Sequence, residues 1–228
     1  MVERGIPSTL KRVFDVILSS AALVVLSPLL LGISLLVALE GKGPVIFRQK
    51  RPGFNSIPFL ALKFRSMVDK RDDQGRLLPD GARITRLGAL LRRTSLDELP
   101  QFWNVLRGDM SVVGPRPLLM QYLDRYTPEQ ARRHLVSPGI TGWTQVNGRN
   151  DLPWEQKLAL DVWYVDHWSL WLDFKILCLT FWKVIKGEGI SAAGSASMPE
   201  FMGSSSASGT SELSLTEQEG IGVKSGEK

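Results

Sequence analysis

Residues 16–39 read VILSSAALVVLSPLLLGISLLVAL, and the placement of this stretch decides the fold. It contains no charged residue. As one helix rising 1.5 Å per residue it would extend roughly 36 Å, enough to cross a bilayer. A cleaved signal peptide has a shorter apolar core that gives way to a polar mature start, whereas this run continues. Two features speak against a straight span. Ser27-Pro28 lies near the midpoint, where proline removes a backbone donor and clashes with the carbonyl four residues back. The Ser27 hydroxyl is placed to bond a carbonyl freed in this way. The second feature is charge. Arg4, Lys11 and Arg12 precede the run and Lys42, Arg48, Lys50 and Arg51 follow it, so both flanks favour the cytoplasmic side. A helix bent at Ser27-Pro28 that enters and leaves by one face satisfies both flanks, and a proline-kinked span satisfies one. The residues favour the re-entrant arrangement and leave the span open.

The rest of the 228-residue chain is long enough to bury a core. The formal charge of +5 is uneven: the stretch from 203 to 228 is Ser/Gly-rich and acidic, while residues 1–202 hold 26 basic and 19 acidic groups. That excess points to anionic partners such as lipid headgroups, nucleic acid or phosphorylated small molecules. The arginines are scattered through glycine- and proline-shaped loops instead of forming basic runs, which argues against nucleic acid. One cysteine, Cys178 in KILCLTFW, rules out an intrachain disulfide and is expected to be buried as a small hydrophobe. With His134, His167 and that cysteine alone, a zinc site is not expected.

VIFRQ and IPFLALKF read as short strands around the turn PGFN. Residues 69–82 read as a polar surface loop with a little helix. ITRLGALLRR (84–93) has helical apolar spacing, and LPQFWNVLRG reads as a second helix ending at Gly108. DMSVVGPRP (109–117) reads as a loop, 118–135 as helix interrupted at Thr127-Pro128, and SPGITGWTQVNGRN as a glycine-rich turn region. Residues 154–186 are helical and crowded with aromatics, among them Trp163, Trp168, Trp171, Phe174, Phe181 and Trp182. Interleaved with Lys175, Lys183 and Lys186, they suit a water–lipid boundary, and packing into a core is the alternative.

SLDELPQFWN (95–104) holds the acids of greatest interest, Asp97 and Glu98. Ser95 and Glu98 have capping-box spacing, and Asp97 complements a helix dipole, which is the ordinary reading. Pro100 fits that reading poorly, because it would fall inside the first turns. A helix starting nearer Leu99-Pro100 suits it better. Asp97 and Glu98 would then lie on a turn where carboxylates can hold a hard divalent cation, close to Arg92, Arg93, Arg116 and Arg149. A carboxylate pair among arginines describes a site for phosphate chemistry.

These residues resemble a known family. KRVFD (11–15), the Ser27-Pro28 break, LKFRSM (62–67), TSLDELPQFWNVLRGDMSVVGPRP (94–117), GITGWTQVNGRN (139–150), DVWYVDHWSLWLDFKIL (161–177) and the ending SASMPEFMG look like a bacterial monotopic phosphoglycosyl transferase, over about residues 9–203. The chain looks like a small member, without the extra N-terminal membrane domain of the large ones.

The resemblance implies an α+β, mostly helical fold with short strands, on the cytoplasmic face of the bacterial inner membrane. A re-entrant helix would occupy residues 1–40, a membrane-surface catalytic domain 41–202 and a disordered tail 203–228. It implies transfer of a sugar-1-phosphate from a UDP-sugar to undecaprenyl phosphate with release of UMP. An N-acetylated amino sugar is suggested by the ending SASMPEFMG, and no motif specifies an oligomeric state. Asp97 is implied as nucleophile and Mg²⁺ ligand, with Glu98 assisting. Arg116 and Arg149 are implied near nucleotide or phosphate, with Lys63, Arg65 and Arg92 as weaker candidates and ion pairing the alternative for the last two arginines. Anionic lipids are the implied surface partner. Two other readings keep the same residues: a membrane-anchored diphosphate hydrolase, and a non-catalytic basic lipid-binding adaptor.

Overall fold

The computed structural model describes residues 9–41, 43–148, 152–186 and 200–203. The apolar run does not form one rod. Helix α1 (Thr9–Val25) and helix α2 (Ser27–Glu40) meet at a 62° bend. The cause is local: Pro28 has no N–H to offer the Val24 carbonyl, and Ser27 Oγ donates to that carbonyl at 2.8 Å instead. Among the described residues no single helix is long and apolar enough to cross a membrane, while the bent pair together is.

Helix α1 inverts the usual amphipathic order. Its buried residues are Lys11, Asp15 and Ser19, one polar stripe at four-residue spacing, while Ile17, Val24 and Val25 are exposed. The stripe is tied into the rest of the chain. Lys11 Nζ lies 2.5 Å from Asp173 Oδ2 and donates to the Val113 carbonyl at 3.0 Å. Asp173 also accepts from Tyr164 Oη at 2.6 Å and Trp168 Nε1 at 3.1 Å. Asp15 accepts from Ser111 Oγ and the Val112 N–H, and Arg12 donates to the carbonyls of Val105 and Leu106. At the far end of the pair, Arg65 donates to the Val37 and Gly41 carbonyls at 2.6 and 2.8 Å. Glu40 accepts from Thr85 Oγ1 at 2.7 Å. Both ends of the bent pair are therefore fastened by polar contacts.

Strands β1 (Ile46–Pro52) and β2 (Pro58–Phe64) form the expected antiparallel hairpin, with Pro52 opposite Pro58. Its turn carries Asn55 at φ 51°, a conformation asparagine tolerates better than most residues. The polar stretch that follows contains a short bridge, Arg71 to Leu77, and one turn of helix α3 (Asp80–Arg83). Helix α4 (Arg86–Thr94) is capped by Thr85, whose hydroxyl accepts from the Gly88 N–H. A Cβ on Gly88 would stand 2.0 Å from the Ser66 carbonyl oxygen, so only glycine lets α4 lie this close to the chain leaving β2. Helix α5 (Gln101–Arg107) ends at Gly108 in the left-handed region.

Two segments expected as loops contain regular structure. Strand β3 (Ser111–Val113) pairs in parallel with strand β4 (Gly139–Thr141). Each is three residues long and its partner is distant in sequence, so no alternation announces it. Gly139 permits the approach, since a Cβ there would fall 2.1 Å from the Gly114 nitrogen. Between them the chain runs through a 3-10 turn at Met120–Arg125, helix α6 (Pro128–Ala131) and a second 3-10 turn at Arg132–Leu135. Thr127 and Gln130 form a full capping box at the expected break. Helix α7 (Trp143–Asn147), inside the supposed turn region, is the third unforeseen element.

Helices α8 (Trp154–His167) and α9 (Leu170–Lys186) complete the fold, which is mostly helical with four short strands among the described residues. The core gathers Val105, Met110, Val113, Val146, Tyr164 and Ile176. Cys178 is exposed, contrary to expectation. It lies on the outer face of α9 with Trp171, Phe174, Phe181, Trp182 and Ile185, while the inner face buries Leu172, Asp173 and Ile176. The tail expectation concerns residues outside the described ones, apart from Gly203.

Removing Asp173 breaks its buried ion pair with Lys11 from one side, which costs about 3–5 kcal/mol. Asp173→Ala should therefore unfold at a clearly lower temperature than the wild type in the same detergent, and an unchanged midpoint would contradict this account of α1.

Candidate active site

Between α4 and α5 the chain makes a 3-10 turn at Leu96–Glu98. Ser95 enters it in the left-handed conformation, φ 57°, as the C-terminal cap of α4. Its side chain caps nothing, so the capping-box reading of Ser95 and Glu98 is corrected. The left-handed Ser95 leads into the 3-10 turn through its backbone, and the S-x-x-E spacing is spent on a reversal. Pro100 precedes the first residue of α5, where its missing N–H is harmless, as the alternative reading expects.

The two acids have different surroundings. Glu98 sits 2.6 Å from Lys63 Nζ and is gripped by Arg116, whose Nη1 donates to Glu98 Oε2 at 2.9 Å and whose Nη2 pairs with Oε1. Burial alone would raise the Glu98 carboxyl, but Arg116 and Lys63 outweigh it and hold it well below the usual carboxylate range. Glu98 is therefore ionised and committed. Asp97 is 7% exposed, and no hydrogen bond or ion pair from a described residue engages its carboxylate. Burial and then the Glu98 charge push its carboxyl above the ordinary aspartate value, against the attraction of Lys63, Arg116 and Arg92. A carboxylate that no neighbour claims is free to act as ligand or nucleophile.

The surrounding elements hold this geometry in place. Asn104 on α5, fully buried, donates to the Leu60 carbonyl at 2.8 Å and accepts from the Leu62 N–H at 3.0 Å. It thereby satisfies the outer edge of β2 beside Lys63. Arg116 is placed through its own carbonyl, which accepts from Arg133 at 2.7 Å. Arg133 is buried against Asp161 of α8 at 2.6 Å, and Asp161 accepts from Thr144 of α7. The Met120–Arg125 turn is held by Phe201, buried among Tyr122, Tyr126 and Trp154.

Of the residues singled out in the sequence, Asp97, Glu98, Lys63 and Arg116 come together. Arg92 donates to Ser66 Oγ at 2.8 Å and reaches Asp97 only through its charge. Arg65 is committed to the carbonyls at the end of α2. Neither arginine makes an ion pair among the described residues. Arg149 lies outside them. Sequence reasoning overlooked Arg51 as a site residue. Across the hairpin Lys63 faces Phe47, Ala61 faces Gln49 and Phe59 faces Arg51, so Lys63, Gln49 and Arg51 share one face. That period-two spacing was the available signal.

Among the described residues no cluster of three His, Cys, Asp or Glu side chains is arranged to hold a metal ion. Mg²⁺ is commonly held by one or two carboxylates plus substrate phosphates and water. The unclaimed Asp97 carboxylate fits that mode of binding, with the remaining ligands coming from elsewhere.

The chain belongs to the bacterial sugar transferase family, whose pattern matches residues 6–187. It is 54% identical over 195 residues to the uncharacterized sugar transferase EpsL of Bacillus subtilis, covering 86% of this chain and 96% of that one. It is 43% identical over 189 residues to the UDP-glucose:undecaprenyl-phosphate glucose-1-phosphate transferase of Escherichia coli. It is 39% identical over 197 residues to the undecaprenyl-phosphate galactose phosphotransferase of Salmonella typhimurium. These two alignments cover 78% and 79% of this chain, but each spans only 41% of the larger relative.

His134, in the turn beside Arg133, is buried, and burial followed by the Arg133 charge lowers its pKa to about 4. Between pH 6.5 and 4 the unfolded chain takes up a proton that the folded chain refuses, so stability falls as pH drops through that window. His134→Gln should remove roughly 3 kcal/mol of that fall at full development, measured by denaturation at a series of pH values. Parallel pH profiles for variant and wild type would contradict the assignment.

Proposed function

We propose that this chain transfers a sugar-1-phosphate from a UDP-sugar to undecaprenyl phosphate through a covalent phosphosugar on Asp97. The observation that carries the reading is the asymmetry of the acid pair: Glu98 clamped by Lys63 and Arg116, Asp97 buried and unclaimed. The relatives' names, with their UDP-glucose donor and undecaprenyl-phosphate acceptor, support the substrate class.

In the first half-reaction an Asp97 oxygen attacks the β-phosphorus. The bond from that phosphorus to the α-phosphate oxygen breaks, and its electron pair leaves with UMP. In the second, a phosphate oxygen of the lipid attacks the same phosphorus and the Asp97 carboxylate departs. Splitting the transfer lets one site serve a water-soluble donor and a lipid acceptor in turn. Glu98 keeps Lys63 and Arg116 at the site. Mg²⁺ held at Asp97 would supply charge neutralisation for the diphosphate. Arg149 is proposed beside the nucleotide, and an N-acetylated amino sugar as the transferred group.

Membrane placement is part of the same proposal. Helix α1 buries a polar stripe and exposes apolar side chains, the reverse of a helix facing water. Its bend lets the α1–α2 pair enter and leave by the cytoplasmic face, agreeing with the basic flanks. The outer stripe of α9, with Lys175, Lys183 and Lys186 nearby, would lie at the headgroup level against anionic lipids. The proposed units are the re-entrant segment 1–40, the catalytic domain 41–202 and the tail from 203 onward.

A panel of UDP-sugars should show Mg²⁺-dependent UMP release that requires polyprenyl phosphate for turnover. Asp97→Asn should lose roughly 10³-fold or more of that rate. UMP release at full turnover without the lipid would favour a hydrolase, and near-normal turnover by Asp97→Asn would remove it as nucleophile. For topology, single cysteines placed before α1 and after α2, in a Cys178→Ser background, should both resist a periplasmic thiol reagent. Labelling at one end only would establish a span.

A further inference from the structure

Among the described residues Arg51 is a site-facing cation that makes no ion pair. It lies on the hairpin face that carries Lys63, two pleats further along, and that face looks onto Glu98 and the Arg116 loop. Its side-chain partner is Gln49 Oε1 at 2.6 Å, a neutral amide, and no carboxylate of a described residue lies within ion-pair distance. Arg116 by contrast is matched by Glu98. Arg51 is half-buried, and burial and the Arg116 charge depress its pKa to about 10. Glu98 is thus taken up by Arg116 and Lys63, while Arg51 feels its charge without an ion-pair contact, in a partly desolvated place. Left so, the arrangement is self-repelling, and an anion between the two arginines relieves it.

We propose that Arg51, together with Arg116, forms the seat for the phosphate that leaves in the first half-reaction and for the phosphate that attacks in the second. The inference rests on the double-displacement reading above. In each half-reaction the group opposite Asp97 is a phosphate oxygen: the α-phosphate of the donor when UMP departs, the lipid phosphate when the acceptor attacks. In-line displacement places both on the same side of the β-phosphorus, so one seat serves both. A planar guanidinium offers two parallel donors to either phosphate and discriminates little between them. Gln49 accepts a hydrogen bond from Arg51 on the hairpin face, where Arg51 acts as a substrate-binding residue and takes no proton.

The test compares wild type with Arg51→Gln and Arg51→Lys in two measurements. Calorimetric UMP binding reads the seat without turnover. Steady-state kinetics read kcat/KM separately for the UDP-sugar and for undecaprenyl phosphate. Arg51→Gln should weaken UMP binding about tenfold or more and lower both kcat/KM values by a similar factor, with Arg51→Lys intermediate. Unfolding midpoints of the variants check folding. UMP affinity equal to wild type in Arg51→Gln overturns the seat, as does loss of kcat/KM for one substrate alone. If Arg51→Gln fails to fold, Arg51→Lys decides: UMP binding at wild-type strength overturns the seat, and weakening supports it. A wild type that binds UMP through Arg51 yet releases none from any UDP-sugar would overturn the transfer reaction and leave an anion seat. A wild type that binds no UMP overturns the seat.

Discussion

The contact between Lys11 and Asp173 joins the two parts of this molecule that composition would separate. Lys11 stands near the start of the longest apolar run in the chain, and Asp173 near the start of the last helix. A buried ion pair is a poor source of net stability, yet it is costly to break from one side. Here it is surrounded by donors from Tyr164 and Trp168 and by the Val113 carbonyl, so its remaining valences are met. Asp15 adds the backbone of β3 to the same network. Helix α1 cannot rotate its polar stripe outward without leaving these groups unpaired. Its apolar face is forced outward, and the bend at Pro28 then fixes where α2 runs.

That constraint extends to the chemistry. The end of α2 is stapled through Arg65 to the chain leaving β2, two residues beyond Lys63, and through Glu40 to the start of α4. Helix α4 in turn delivers the tight turn that carries Asp97. The acid pair is thus held in register with the bent helices by short, bonded connections. Within the site, Glu98 collects the cations and Asp97 is left unclaimed, a division of labour between adjacent carboxylates made by their neighbours alone.

Much of this was legible in the residues. The charge-free run with Ser27-Pro28 at its centre announced the bend, PGFN announced the hairpin turn, and Pro100 announced that α5 starts after the acids. Motifs singled out Asp97, Glu98, Lys63 and Arg116. What was missed has a common cause, non-local pairing. Strands β3 and β4 are three residues each and stabilise one another across a long sequence gap, so neither shows a period. Ser95 has the right letter for a cap and the wrong backbone, because α4 ends on it in the left-handed conformation. Cys178 follows the apolar composition of α9 but falls on its outward stripe, a face that composition cannot orient. Arg51 was counted among the flanking charges of the helix pair, and only the hairpin register turns it toward Lys63.

The central claim is that Asp97 carries the phosphosugar between the two half-reactions. It is tested most directly by incubating the protein with its UDP-sugar and Mg²⁺ in the absence of polyprenyl phosphate, then quenching and mapping modified peptides by mass spectrometry. The account predicts one phosphosugar per chain on Asp97, discharged when polyprenyl phosphate is added before the quench. An adduct on Glu98 or on any other residue would contradict it, as would transfer to the lipid without any adduct forming.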